Sequence, residues 1–495
     1  MSLVLDLPQE VLEFLRAEVP QTMLVRGAPG TGKTMFALSL LANYPGRRLF
    51  VSTRVPPGEL RREFPWLGRS DLRIEAIDAA DGFAGVHRQA EMLARARELI
   101  LQPEGSSDLR PLWLPEPIQE AWSRSDPGSR TMVVLDSWDA LIERYLGSGF
   151  LASPGAAVPD RPELERILLT QMARAPVFLA LVAERDEPSQ LDYLVNGVVH
   201  TRWERMNGRP ERWIWLRKLR GTRIDTPEYP FTLDGGRFAC ISPLPIDFRA
   251  PLVPPVPEPD ARPGQIWPGT PEFANAFGRL PLHRVSLIER EAIVPSEAIR
   301  LVIGPMMAHI LQSGGRLVHV LPPDSNADDV WRGYRELIGI EQFRRQVRIQ
   351  AITSDSSEEV QSVVLPPPRP SGGPTEPHLK EAIQFLREAP ADAPNLMVVW
   401  VDGLVALAEL QEFEYTPQGL PAVAVRVATG APIHLLFIGV DGDRLTREVR
   451  ALSSIHLRFL GRNGRVFIEG DKPLTPPFVL ALGEHPGPYH LVRVV

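Results

Sequence analysis

The segment at 22–41 contains the residues whose types and spacing point most directly to a chemistry. A short apolar strand at 23–25 leads into Gly-Ala-Pro-Gly-Thr-Gly-Lys-Thr, and a helix with regularly spaced apolar residues follows. In this context a glycine loop lets backbone N–H groups surround a phosphate, and the helix N-terminus adds its dipole. The sequence therefore predicts a phosphate-binding loop made of eight consecutive residues, namely Gly27, Ala28, Pro29, Gly30, Thr31, Gly32, Lys33 and Thr34.

Two side chains of this loop and one carboxylate further along the chain are predicted to do the chemistry. Lys33 is expected to reach the β- and γ-phosphates of ATP, while the hydroxyl of Thr34 binds Mg²⁺. Asp136 follows the apolar run 132–135, and a carboxylate at the end of such a strand holds Mg²⁺ beside the loop. The alternative for Asp136 is a cap on the helix that follows, because the residues after it also suit helix initiation.

The composition narrows the class of protein. Of 495 residues, 44% are hydrophobic and 23% are charged, as in ordinary globular proteins of two or three domains. The formal net charge of −7 gives no general basic surface for nucleic acid, and the one cysteine, Cys240, excludes a disulfide framework. No apolar stretch approaches the ~18 residues of a membrane span, and the first residues lack a secretory signal pattern. We therefore expect a cytoplasmic protein without membrane contact.

The chain reads as a tandem duplication of one α/β unit. Residues 46–78 match 315–353 in a Gly-Arg turn, a strand, a proline-rich exit, an amphipathic helix and a second strand. The apolar run that ends at Asp136 matches 396–407, which sets Asp402 opposite Asp136. Strands separated by helices, with continuous apolar runs, predict a mostly parallel sheet covered by helices on both faces.

We therefore expect two domains joined by a proline-rich linker. The predicted bounds are 1–245 for the first domain, 246–282 for the linker and 283–495 for the second domain, since proline at the linker's density prevents regular helix. The repeat aligns the phosphate loop with 295–302, which has neither glycine nor lysine, so the second domain is expected to bind no nucleotide in this manner. Without such a loop beside it, Asp402 is expected to be a helix cap or a relic.

The two phosphate-site motifs, together with the segment at 201–238, resemble RecA-fold ATPases of the KaiC/RadA kind. The likeness covers most of 1–245 and, through the repeat, more weakly 283–495. It implies two tandem RecA-like domains, of which the second lacks the phosphate loop, with ATP and Mg²⁺ as cofactors. In ring-forming relatives a Lys-x-Arg-Gly segment reaches the nucleotide of the neighbouring subunit, which here nominates Lys218 and Arg220 as catalytic residues beside Lys33 and Asp136. The resemblance thus implies a homo-oligomer, as a ring or a filament.

An alternative for Lys218 and Arg220 is a solvated edge strand with alternating charge. Lys218 is, however, one of four lysines among 54 basic residues, so the composition does not favour a lysine at an arbitrary surface position. A cation placed at a γ-phosphate stabilises the charge that develops in phosphoryl transfer.

Within this group, residues 52–67 most resemble the GvpD family of P-loop regulators, which are thought to act through a protein partner. KaiC-type ATPases place a glutamate directly after the second strand to activate water, whereas this chain has Thr53-Arg54 there, and Glu59 and Glu63 come later. The sequence therefore predicts a regulatory or scaffold P-loop NTPase in which slow ATP hydrolysis controls self-assembly or partner binding. A recombinase-like, DNA-dependent ATPase is the alternative, although the acidic total makes a nucleic-acid partner the weaker prediction.

Two further segments bear on partner binding. Residues 87–103 have the apolar spacing of an amphipathic helix, and 103–130 form a proline-rich insertion with two tryptophans. An ordinary surface insertion and a docking loop for a partner protein both remain open.

Overall fold

In a computed structural model the chain forms two compact units, Val4–Ser242 and Pro243–Arg493. The structure describes residues 4–19, 21–68, 72–78, 130–147, 160–172, 177–245, 254–352, 356–365, 376–390, 393–409, 432–482 and 489–494. The helix predicted at 87–103 and the insertion that follows it, up to residue 129, lie outside this part of the chain.

The first unit carries the phosphate-loop sequence. Its strands are β1 (Val4–Leu5), β2 (Thr22–Arg26), β3 (Arg47–Ser52), β4 (Ile74–Asp78), β5 (Thr131–Asp136), β6 (Val177–Val182), β7 (Gly197–Met206), β8 (Arg209–Leu219), β9 (Glu228–Thr232) and β10 (Ala239–Ile241). Its helices are α1 (Gln9–Leu15), α2 (Lys33–Asn43), α3 (Pro57–Glu63), α4 (Trp138–Gly147), α5 (Arg161–Met172) and α6 (Leu191–Leu194).

The sheet of the first unit has the order β4-β3-β5-β6-β2-β7-β8-β9-β10-β1. The strands from β4 to β7 in this order are parallel, and the remaining pairs are antiparallel. Every residue of β2 and β6 is buried, because helices cover both faces of the parallel part. Successive side chains of β2 point to opposite faces, so Met23 and Val25 pack with α1 and α2, while Leu24 packs with α4 and α5.

The second unit is built in the same way. Its strands are β11 (Gln265–Ile266), β12 (Leu280–Pro281), β13 (Val285–Arg290), β14 (Leu317–Val320), β15 (Val347–Gln350), β16 (Asn395–Trp400), β17 (Ile433–Val440), β18 (Ile455–Arg462), β19 (Arg465–Lys472), β20 (Phe478–Leu482) and β21 (Tyr489–Arg493). Its helices are α7 (Pro271–Phe277), α8 (Ser296–Gln312), α9 (Ala327–Tyr334), α10 (Ile340–Gln346), α11 (Glu376–Arg387), α12 (Val401–Glu409) and α13 (Arg444–Leu452).

Its main sheet has the order β15-β14-β16-β17-β13-β18-β19-β20-β21. When β2 and β13 are each counted as the first strand of their unit, both sheets read 3-2-4-5-1-6-7-8-9, with β1 added only at the edge of the first. The parallel part again ends at the sixth strand, β18, after which the pairing becomes antiparallel. The predicted fold class, two tandem RecA-like α/β domains, is confirmed.

Part of the predicted linker belongs to the core of the second unit. Residues 265–281 form β11, α7 and β12, and Ile266, Phe273 and Phe277 are buried in the same apolar cluster as α8. The density of proline predicted extended chain there. Pro271 instead occupies the first turn of α7, where proline is tolerated because no helical hydrogen bond is lost.

The structure shifts the alignment of Asp402 in the repeat. The first residues of β5 and β6 pair with each other, as do those of β16 and β17, so Asp136 in the first unit corresponds to Trp400 in the second. Asp402 therefore does not lie opposite Asp136, as the sequence repeat suggested. It lies two residues further on, in the first turn of α12.

The segment matched to the phosphate loop also shifts. Helix α8 begins at Ser296, so the connection between β13 and α8 is 291–295, and 295–302 falls largely within the helix. The alignment of the two repeats matched the phosphate loop to residues too far along the second unit, because that alignment was based on strands that come later in the chain. The connection, Glu-Ala-Ile-Val-Pro, still has no glycine or lysine, and the carboxylate of Glu291 accepts a hydrogen bond from the Gly461 N–H at 2.8 Å. A loop with this composition forms no phosphate cradle.

None of the helices in the described part of the chain combines the length and the apolar character that crossing a bilayer requires.

Candidate nucleotide-binding site

The predicted phosphate loop lies where β2 passes into α2, at the carboxyl edge of the parallel strands. Gly30 and Gly32 have φ angles of 76° and 96°, in the left-handed region that favours glycine. A Cβ on Gly27 would lie 2.1 Å from the carbonyl oxygen of Thr201, so this position admits only glycine without a backbone shift. Gly32 is the N-cap of α2 and supplies no side-chain cap, which leaves the first N–H groups of the helix to face an anion.

Lys33 is the first residue of α2, and its ammonium turns back onto the loop. Its Nζ donates to the carbonyl oxygens of Gly27 at 2.7 Å and Ala28 at 2.9 Å. Burial lowers the pKa of Lys33, while the negative charges of Glu184 and Asp136 act in the opposite direction. The loop therefore holds a buried cation beside the unsatisfied N–H groups of a helix, an arrangement suited to a phosphate.

The structure brings Thr34 and Asp136 together. The Thr34 hydroxyl donates to Oδ2 of Asp136 at 2.7 Å, because β5 lies two strands from β2 and both strands end at the same edge of the sheet. Burial raises the pKa of Asp136, and the hydrogen bond from Thr34 and the charge of Lys33 partly offset this. A hydroxyl oxygen and a carboxylate oxygen, with phosphate oxygens and water in the other positions, form a donor set that suits Mg²⁺. The residues present thus fit the predicted metal.

Two residues outside the motif also hold the loop, and the sequence did not reveal them. Arg212 on β8 donates from Nη1 to the carbonyl oxygen of Gly30 at 2.7 Å. The hydroxyls of Thr31 and Thr201 lie 2.8 Å apart, and the Thr31 hydroxyl also donates to the carbonyl of Ala28. Their role depends on the pairing of β7 with β2 and β8, which the local pattern of charged residues at 201–212 does not specify.

A third missed residue is Glu184, which follows the apolar strand β6. Its backbone N–H donates to Oδ2 of Asp139 at 2.5 Å, and its side chain forms an ion pair with Arg54. The signal was available, because a carboxylate that follows a buried strand had already identified Asp136. Glu59 and Glu63, the carboxylates considered from the sequence, are exposed on α3.

Lys218 and Arg220 lie elsewhere in the first unit. The Nζ of Lys218 donates to the carbonyl oxygens of Asp192 at 2.9 Å and Val195 at 2.6 Å, so it closes the end of α6. Through Val198 of β7, Lys218 is level with the middle of β2 rather than with the loop at its end. Arg220 is exposed. The action of these two residues on a neighbouring subunit stays a prediction.

Comparison with known proteins addresses the same region. Residues 11–219 match a family model described as "GvpD gas vesicle protein, P-loop domain". The first unit is a P-loop domain that resembles GvpD. The matched range begins in α1 and ends at the last residue of β8, so it contains the glycine loop, Asp136, Glu184 and Arg212.

Two curated relatives agree with this assignment. The chain is 30% identical over 240 residues to protein GvpD2 and 32% identical over 243 residues to protein GvpD1, both of Halobacterium salinarum. Each match covers 48% of this chain, and 44% and 41% of the respective relatives. The chain thus spans less than half the length of the GvpD proteins it matches.

Among solved structures, a KaiC-like protein from the hyperthermophilic archaeon Pyrococcus horikoshii is similar over 45% of this chain and 90% of its own length. The sequence identity is 18% and the TM-score is 0.31.

Proposed function

We propose that the GvpD-like unit binds Mg²⁺ and ATP and that the protein is a regulatory P-loop NTPase. One observation carries the proposal: the Thr34 hydroxyl lies 2.7 Å from the Asp136 carboxylate, beside a glycine loop that holds the ammonium of Lys33. Binding of a nucleoside triphosphate needs a loop that surrounds the phosphates, a cation and a metal site. All three features lie at one edge of the sheet.

The residues around the loop support slow rather than fast hydrolysis. Where β3 ends, the chain continues with Thr53 and Arg54, so no carboxylate stands directly after this strand. The Thr53 hydroxyl instead accepts a hydrogen bond from the backbone N–H of Ser137 at 2.9 Å, a contact that joins the ends of β3 and β5. Slow turnover suits a protein whose nucleotide state acts as a signal, controlling self-assembly or the binding of a partner protein.

When bound, Mg²⁺ would neutralise charge on the β- and γ-phosphates. The chain's own residues have separate tasks: the loop N–H groups and Lys33 bind and orient the phosphates, Thr34 and Asp136 hold the metal, and Arg212 keeps Gly30 in place. Each of these tasks is positional or electrostatic, as phosphoryl transfer requires.

Calorimetry with Mg²⁺ and ATP tests the binding proposal. The wild-type chain should bind one ATP, and Lys33→Ala should abolish binding because the phosphate cation is removed. Lys472→Ala is a matched control. This lysine of the second unit also donates to a backbone carbonyl, that of Arg450 on α13, but it lies beside no phosphate loop. Two ATP per chain, or binding that survives Lys33→Ala, would contradict the proposal.

The regulatory part has its own test. The mass of the purified protein in solution, measured with and without ATP and Mg²⁺, should change if the nucleotide controls assembly. Stimulation of ATP turnover by single-stranded DNA would instead favour a DNA-dependent motor.

A further inference from the structure

Arg54 and Glu184 form a two-pronged ion pair at the edge of the phosphate site. Nη1 and Nη2 of Arg54 each lie 2.7 Å from a different carboxylate oxygen of Glu184. The Arg54 side chain is 57% exposed and that of Glu184 28% exposed, so the pair lies at the surface rather than in the core. Planar guanidinium and carboxylate groups that meet in this way are held in a defined orientation.

Strand pairing fixes where Glu184 stands. Val182, the last residue of β6, is level with Val25 on one side and with Asp136 on the other. The Ala183 N–H continues this pairing by donating to the carbonyl of Val25 at 2.8 Å. Glu184 therefore emerges between the strand that enters the phosphate loop and the strand that ends in the metal carboxylate.

Other carboxylates of this region have partners that occupy them. Asp139 accepts from the Arg161 guanidinium and from the Glu184 N–H, and it is 3% exposed. The carboxylate of Asp186 is hydrogen-bonded to Nε2 of His200. The carboxylate of Glu184 differs in that its contact is an exposed side chain, which can move away.

We propose that Glu184 is the carboxylate that activates water for ATP hydrolysis, and that Arg54 restrains it as a latch. This inference rests on the proposed binding of ATP by the first unit. Arg54 lies two residues after the end of β3, and its partner Glu184 follows β6, which is separated from β3 by one strand of the sheet.

The reaction at this site is hydrolysis of the terminal phosphoanhydride. Glu184 accepts a proton from water, the water oxygen forms a bond to the γ-phosphorus, and the bond from that phosphorus to the β,γ-bridging oxygen breaks. The electron pair of the broken bond stays on the oxygen of ADP, and the proton leaves with inorganic phosphate or to solvent. A general base must stand within hydrogen-bond reach of its water, and both oxygens of this carboxylate are held by the guanidinium until the pair opens.

Steady-state kinetics on the full-length protein with Mg²⁺ and ATP test both residues. Glu184→Gln should lower kcat by about 100-fold or more, the usual contribution of a general base, while ATP still binds. Arg54→Ala should raise kcat about two- to fivefold with KM unchanged, because half-exposed ion pairs contribute a factor of this size. Arg54→Lys, which cannot form the two-pronged contact, should lie between wild type and Arg54→Ala.

The double variant Arg54→Ala with Glu184→Gln separates a latch from a merely structural contact. Its kcat should equal that of Glu184→Gln, because the gain from removing Arg54 needs the carboxylate. The matched control is the ion pair of Arg47 and Glu75, which is also two-pronged and involves β3 but lies at the start of that strand. Arg47→Ala and Glu75→Gln should leave kcat unchanged.

Two results would overturn the inference. If Glu184→Gln turns over ATP like wild type, another group activates the water. If Arg54→Ala lowers kcat, or fails to raise it while binding ATP normally, the guanidinium serves the phosphate or the fold and is not a latch. Calorimetry keeps these outcomes apart from failure of the proposed function, since in that case the wild-type protein would not bind ATP at all.

Discussion

The hydroxyl of Thr34 and the carboxylate of Asp136 lie within 2.7 Å of each other although 102 residues separate them in sequence. The contact exists because β2 and β5 end at the same edge of a parallel sheet, with β6 between them. It joins the residue after the phosphate lysine to the acidic residue that ends a buried strand, and several expectations depend on it.

Replacing Thr34 or Asp136 should make the affinity for ATP independent of Mg²⁺. Thr34→Val loses one metal oxygen and Asp136→Asn loses the negative charge, so the affinity for ATP in Mg²⁺ should fall at least about tenfold. Calorimetry with Mg²⁺ and with a chelator measures this, and the two conditions should converge in both variants. Asp402→Asn, in the second unit, should leave the difference between them intact.

The pH dependence of Asp136 has a defined sign. Burial raises its pKa in the folded protein, so the folded state binds this proton more tightly than the unfolded state and is disfavoured once the carboxyl ionises. Without nucleotide and metal, Asp136→Asn should therefore increase the free energy of unfolding at neutral pH. The increase should disappear as the pH falls through the folded pKa, above 3.8, towards the unfolded value. Urea titrations from pH 4 to pH 7 would check it, and a loss of stability at neutral pH would contradict it.

Gly27→Ala should damage the loop through the backbone. The new Cβ would lie 2.1 Å from the carbonyl oxygen of Thr201, a rigid atom, at a φ of 150°. The free energy of unfolding should drop by about 1–3 kcal/mol, and ATP binding should be lost. Gly58→Ala is the control, because a Cβ there meets no atom within 4 Å and the residue lies in α3, so its effect should stay within about 0.5 kcal/mol.

The second unit should lose stability in mild acid through two buried histidines. Burial lowers the pKa of His319 and of His434 to about 4, below the unfolded value near 6.5. Their contribution is complete above pH 6.5 and is lost as the pH falls from 6.5 to about 4, with a slope of up to about 1.4 kcal/mol per pH unit for each proton.

Urea unfolding across this range measures that slope. His319→Gln and His434→Gln should each reduce it, even where the variant is less stable at pH 7. An unchanged slope in both variants of the buried histidines would show that other groups are responsible.

The predicted action of Lys218 and Arg220 across a subunit interface can be tested by mixing. Lys218→Ala should lower stability as well, because its Nζ donates to carbonyls at the end of α6, so Arg220→Ala is the cleaner variant. Arg220→Ala should weaken assembly or turnover that depends on ATP but spare binding. Mixing it with Lys33→Ala protein should restore activity, since one interface then pairs an intact loop with an intact arginine. No recovery, with a monomeric mass at saturating ATP, would leave Arg220 as surface charge.

The sequence predicted what depends on local order and missed what depends on strand pairing. The glycine loop, Lys33 and the buried strand before Asp136 are each read from a few neighbouring residues, and the repeat revealed the second α/β unit. Arg212 escaped because its contact with Gly30 arises from the order and register of strands far apart in the chain. Glu184 follows an apolar strand, a signal that the sequence does contain, but its contact with Arg54 arises from strand order. The alignment of Asp402 with Asp136 failed for a related reason. The register of the paired strands decides which residues of the two units correspond, and an apolar run of sequence does not reveal a shift of one or two residues.

The hydrogen bonds of Lys33 to its own loop also bear on the energetics of phosphate binding. An ammonium that donates to the carbonyls of Gly27 and Ala28 must give up those bonds before it can donate to a phosphate. Binding would therefore exchange hydrogen bonds rather than add them, so the net free energy gained from the Lys33 contact is smaller than that of the new bonds alone. The charge of the anion, more than the number of hydrogen bonds, would then decide which ligand the loop retains.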